Sequence, residues 1–165
     1  KMIGYVSLML TAALAVPAQV VALDLHQFWD GRCHECHGHA GDFARRNLKV
    51  EQGELIGRHH GKDLKRFLGQ HEMGREHADG IYSMLLAQAS SSPVFQQKCA
   101  VCHQTAAEFA RTSLAVRDGI LIGVTNQQPV TDFLQRHGKL APAEIPIVVE
   151  SLRRVLAETG GASTK

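Results

Sequence analysis

A shift of 66 residues lays one half of this 165-residue chain over the other without a gap. Sixteen of the 39 positions from Cys33 to His71 are then identical. Self-similarity at a fixed period means one folding unit made twice, and the shared positions filter the rest: what each unit needs must survive in both copies. The pairs include Ala40/Ala106, Phe43/Phe109, Ala44/Ala110, Arg45/Arg111, Leu48/Leu114, Val50/Val116, Gly53/Gly119, Phe67/Phe133, Leu68/Leu134 and His71/His137. All four cysteines survive as well. They lie in Cys33-His34-Glu35-Cys36-His37 and Cys99-Ala100-Val101-Cys102-His103, which leaves none for a disulfide elsewhere.

Each of these stretches reads Cys-x-x-Cys-His. Residues three apart share a face of a helical turn, so the two thiols of a pair point the same way. The histidine that follows offers a neutral imidazole, a metal ligand. Two short disulfides, a zinc site or thioredoxin-like redox pairs also use Cys-x-x-Cys, but none of them requires a histidine directly after both pairs. Covalent haem does: two thiols bond the two vinyl groups of one porphyrin, and the histidine ligates its iron. On these ten residues the chain resembles the c-type cytochromes. The resemblance implies two covalently bound haem c groups, held by Cys33, Cys36 and His37 and by Cys99, Cys102 and His103. It also implies an exported, periplasmic protein.

The N-terminal residues agree with export. Lys1 precedes an uncharged run from Met2 to Leu23, with small residues at Ala18 and Ala22. Residues 1–22 therefore read as a signal peptide, with a mature N-terminus near Leu23. The run is also long enough for a retained membrane anchor. The haem-binding units are then 23–90 and 91–165. Units of about 70 residues sit near the size at which a side-chain core alone stabilises poorly. Aromatic residues make up only 5% of the chain, with one tryptophan, so a porphyrin would add much of each core. The net charge of +2 gives no nucleic-acid surface.

The fold class expected is mainly α, with two tandem small cytochrome c-like units, each carrying a short β-hairpin. The first unit should open with a helix over Asp24 to Arg32. After its motif, Gly38 to Asp42 reads as a loose glycine-rich loop, with one helical turn over Phe43 to Arg46. Leu48 to Gly57 alternates around Gln52-Gly53 as a hairpin, and Leu114 to Ile122 does so around Asp118-Gly119. Asp63 is placed to cap a helix reaching about Gln70, and a further helix covers Glu76 to Ala89. Ser90-Ser91-Ser92-Pro93 is the linker. In the second unit Phe95 to Cys99 leads in, Pro129 to Arg136 is helical, and a last helix runs from about Pro142 to Thr159. It ends at Gly160-Gly161, before a polar tail.

C-type cytochromes complete the iron's coordination with methionine or histidine, or leave the position open. The chain from Cys99 onward has no methionine, and its only histidines are His103 and His137. His137 is therefore the leading distal ligand of the second haem, and the repeat carries it onto His71. Phe67 and Phe133 stand four residues before these histidines, on the same helix face, where a ring would pack on the porphyrin edge. The ligand pairs are then His37/His71 and His103/His137. Met73 is a rival for the first haem; its counterpart is Lys139. Alternatively, His71 and His137 are surface residues closing a helix, where histidine suits the macrodipole. Phe43 and Phe109 join the haem-site set. Arg45 and Arg111 suit haem propionates or a solvated helix face. His34, His39, His59, His60 and His77 read as solvent-exposed, and His26 as a minor ligand candidate.

The function expected is electron transfer by a dihaem c-type cytochrome, without catalysis, its departures from small class I cytochromes being the distal histidine and the short ligand loop. Its partners would be a redox donor and acceptor, a membrane-bound redox complex, or further copies of the chain. The alternatives are a small peroxidase-like haem enzyme, with His59 or His60 as acid–base group, or a haem-based sensor. Both need one labile distal ligand.

Overall fold

A computed structural model describes residues 22–58, 61, 63–71, 75–161 and 163–164. The chain is mainly helical, with two small antiparallel strand pairs. The N-terminal run up to residue 21, together with His59, His60 and Met73, lies outside the described residues.

Asp24 caps the first helix, α1 (Leu25–Arg32), by accepting a bond from the Gln27 amide at 2.8 Å. The first motif follows as a separate turn, α2 (His34–His37). The loop expected over Gly38 to Asp42 is shorter than read, because α3 spans Ala40–Asn47. Gly41 is there for close approach and not for a turn. It is buried, and a Cβ on it would meet the Arg45 guanidinium at 2.8 Å and Gln88 Oε1 at 3.1 Å. A fully buried Ala44 on the same helix keeps that helix small on its inner side.

Strands β1 (Leu48–Glu51) and β2 (Glu54–Gly57) pair antiparallel around Gln52 and Gly53. Both turn residues have positive φ, 53° and 81°, as a two-residue hairpin with the right-handed strand twist requires. The Tyr82 hydroxyl accepts a bond from the Leu55 amide at 2.8 Å, which ties the hairpin to α5 (Arg75–Ser90). Between them lies α4 (Leu64–Leu68), shorter than expected; Asp63 precedes it but makes no capping hydrogen bond with its side chain.

The second half repeats the order: α6 (Val94–Lys98), α7 (Ala100–His103), α8 (Ala106–Ser113), β3 (Leu114–Arg117), β4 (Ile120–Gly123), α9 (Val130–Leu134) and α10 (Glu144–Glu158). Asp118 and Gly119 form its hairpin turn, with φ of 49° and 75°. The polar tail holds one element that composition did not suggest: β5 (Ser163–Thr164) pairs parallel with β3. Two backbone bonds, Gly160 N–H to Ala157 and Gly161 N–H to Leu156, close α10 and turn the chain back toward that edge.

The buried apolar residues form two clusters. One draws on Trp29 to Leu85 and the other on Val94 to Leu156, with no residue in common. Polar side chains join the halves. Arg45 reaches Gln96 Oε1 at 2.6 Å, and Gln96 donates to Asp42 at 2.9 Å. Arg111 reaches Asp24 at 2.7 Å, His26 pairs with Glu158 at 2.8 Å, and Arg154 donates to the Ala87 carbonyl at 3.0 Å.

Candidate functional site

Each motif hangs directly from the helix before it. The Cys33 amide donates to the Trp29 carbonyl and the Cys99 amide to the Phe95 carbonyl, both at 2.8 Å. One helical turn then closes on the first cysteine: His37 N–H bonds the Cys33 carbonyl at 2.9 Å, and His103 N–H bonds that of Cys99 at 3.0 Å. The first cysteine of each pair is the more covered: Cys33 is buried and Cys36 exposed, Cys99 is half-buried and Cys102 exposed. Burial pushes the Cys33 thiol up. Burial does the same for Cys99, against the nearby Lys98 charge. Both shifts favour the protonated thiol, the form that does not attack a disulfide.

The chain leaves each histidine through a left-handed residue. Gly38 has φ 67° and ψ −159°, and Gln104 has φ 57° and ψ −116°. In the first half the Trp29 indole donates to the Gly38 carbonyl at 2.9 Å and fixes that exit. Sequence reasoning missed this bond. The signal was available, because the 66-residue offset places Phe95 opposite Trp29.

From there the two halves build the same column of rings. In the first, Trp29 lies 5.4 Å from Phe43, Phe43 4.7 Å from His37, His37 6.1 Å from His71, and His71 stacks on Phe67 at 4.8 Å. In the second, the corresponding distances are 5.9 Å for Phe95 and Phe109, 4.6 Å for Phe109 and His103, 5.9 Å for His103 and His137, and 4.6 Å for His137 and Phe133. His71 and His137 sit just past α4 and α9, so each short helix presents its phenylalanine and its histidine together. The facing imidazoles are tilted 60° and 62° to one another.

One metal ion between two imidazoles, at about 2 Å per bond, would set the ring centroids about 6.3 Å apart. The two observed separations fall just short of that figure. In the second half, Cys99, Cys102, His103, Phe133 and His137 all line one largely apolar cleft of about 570 Å3, a size typical of cofactor sites. The donor set there suits haem: two thiols for its periphery, two imidazoles for its axis and apolar walls for its faces. Among the described residues no three His, Cys, Asp or Glu side chains converge as a metal cluster. In the first half, partial burial and then the His71 charge push the His37 pKa down, favouring the neutral ring that can ligate.

The remaining candidates are placed elsewhere. Arg45 is held by Gln96, by Asp42 and by the Gln88 carbonyl, and Arg111 by Asp24 and Glu108. His26 is buried against Glu158. His34 and His39 are exposed, while His77 packs edge-on to Phe28 at 4.8 Å. Lys139 is exposed and lines the second cleft at its rim. No protein-family model, curated protein or solved structure matches this chain.

Proposed function

We propose that this protein carries electrons as a dihaem c-type cytochrome: two tandem cytochrome-like units, each with one covalent haem ligated by two histidines. The observation that carries the reading is the pair of facing imidazoles found twice, at 6.1 and 5.9 Å, each beside a Cys-x-x-Cys turn. A disulfide or a thioredoxin-like pair gives no reason for the second histidine, still less for its recurrence 66 residues later.

When bound, the haem iron supplies the one-electron couple. The chain's residues do the rest. Cys33 and Cys36, and Cys99 and Cys102, would anchor the porphyrin edge. His37 with His71, and His103 with His137, would hold the iron of each haem. Phe67 stacks on His71, and Phe43, Phe109 and Phe133 pack tilted against His37, His103 and His137, which would hold the rings in place. With two histidines holding each iron, no open position would be left for a substrate, which sets this reading apart from a peroxidase or a ligand sensor. Met73 remains the alternative sixth ligand of the first haem.

The setting proposed is the periplasm, since thioether attachment belongs to exported cytochromes and residues 1–22 read as an export signal. No helix among the described residues is long and apolar enough to cross a membrane. The test is intact mass under denaturing conditions, after expression with a cytochrome c maturation system. The reading predicts the polypeptide plus two haems. One haem, or none, overturns it.

A further inference from the structure

The repeat provides an internal control for the surface, because residues that differ between the copies are not needed for the haem site itself. Around His71 the difference is one of charge. A hollow of about 530 Å3 is lined by Lys65, Arg66, Arg75 and Asp79, together with Gly69 and Gln70, the two residues directly before His71. The aliphatic stem of Arg75 lies against Gly69, where a Cβ would sit 3.5 Å from it. Lys65 pairs with Asp79 at 3.2 Å, both side chains open to solvent. Arg66 and Arg75 are exposed and make no ion pair among the described residues. At the same offset the second unit has Thr131, Asp132 and Ala141, with Arg136 as its one cation in place of Gln70. One copy thus offers three cations to one carboxylate, while the other is balanced.

We propose that this hollow is a docking surface for the acidic face of a redox partner protein, so that one partner is directed to the first unit and not the second. The proposal takes its purpose from the electron-carrier reading, but the surface exists without it. Charge complementarity of this kind acts mainly on the rate and orientation of encounter. Exposed cations suit a broad protein face; a small anion would need a buried polar group in the hollow, and none lines it. Placement beside the ligand loop would bring the partner to the first haem's edge.

The test measures association of the purified protein, carrying whatever haem its mass shows, with an immobilised acidic plant-type ferredoxin, used as the probe, by surface plasmon resonance. The association rate should fall about tenfold between about 20 and about 300 mM salt. Arg66→Glu with Arg75→Glu should slow it about tenfold at low salt and flatten the salt dependence, leaving the thermal midpoint unchanged because both side chains are exposed. Thr131→Glu with Ala141→Glu should leave the rate within about twofold. A salt-independent wild-type rate, or equal slowing by the second-unit pair, overturns the proposal. So does binding of phosphatidylserine vesicles, lost in the double arginine variant, by a protein that ignores ferredoxin. Because this readout does not use haem, it can fail while the haem mass is as expected, or succeed while the haem reading fails.

Discussion

His137 is the residue on which the site depends most heavily, because its half of the chain contains no methionine and no other histidine apart from His103. Its ring lies 5.9 Å from that of His103 and 4.6 Å from that of Phe133. On the proposed dihaem reading, His137→Ala should leave the haem attached, since attachment would use Cys99, Cys102 and His103, and should turn one of the two irons high-spin in the visible spectrum. An unchanged low-spin spectrum would mean that the sixth ligand comes from elsewhere, Lys139 being the nearest in sequence. His71→Ala should behave more mildly, because Met73 stands two residues on and can replace it after local rearrangement. Trp29 belongs to the same scale: its bond to Gly38 exists in one copy only, so the two histidine exits are not held equally.

Those exits are also where element-level strain collects. The turn from α7 into α8 puts Gln104 at φ 57° and ψ −116°, a region costly for any residue with a Cβ, where the first copy has glycine. Gln104→Gly should raise stability by about 1–2 kcal/mol, read from the urea midpoint, and Gly38→Ala should lower it by a similar amount. The elements most legible in the sequence were those fixed by local chemistry. Gln52-Gly53 and Asp118-Gly119 allow few conformations other than a tight hairpin turn, whereas the cap expected at Asp63 makes no capping bond, and Asp24, expected as part of the first helix, is its cap. The elements misjudged were those fixed by packing. Gly41 looked like loop because glycine usually is, but it opens α3 to close contact with Gln88, 47 residues away. Strand β5 depends on a partner edge, β3, that no local pattern in a polar tail reveals. At the site, the repeat singled out His71 and His137. The junction roles of Arg45, Arg111 and His26 were not legible, because their acceptors lie in the other half of the chain.

At the scale of the molecule, two separate apolar cores are joined by polar side chains, so acid should weaken the junction as well as the second unit. At the junction, Asp42 is held below the usual carboxylate range first by its hydrogen bond from Gln96; within the second unit, Glu144 is held low first by its bond from Lys98. A depressed native pKa means that the folded state binds fewer protons than the unfolded state. The stability these groups contribute is therefore complete above the ordinary carboxylate values near about pH 4, and lost as pH falls through their lower native values. Asp42→Asn and Glu144→Gln should each flatten the acid limb of stability against pH, measured as the urea midpoint between about pH 2 and about pH 6. The central claim concerns both units at once: each iron is held between two histidines. Near-infrared magnetic circular dichroism of the oxidised protein reads that directly, since the charge-transfer band of low-spin ferric haem moves with its axial pair. The account predicts bis-histidine bands that integrate to two haems per chain. A histidine–methionine band, or a high-spin signal from either haem, would contradict it.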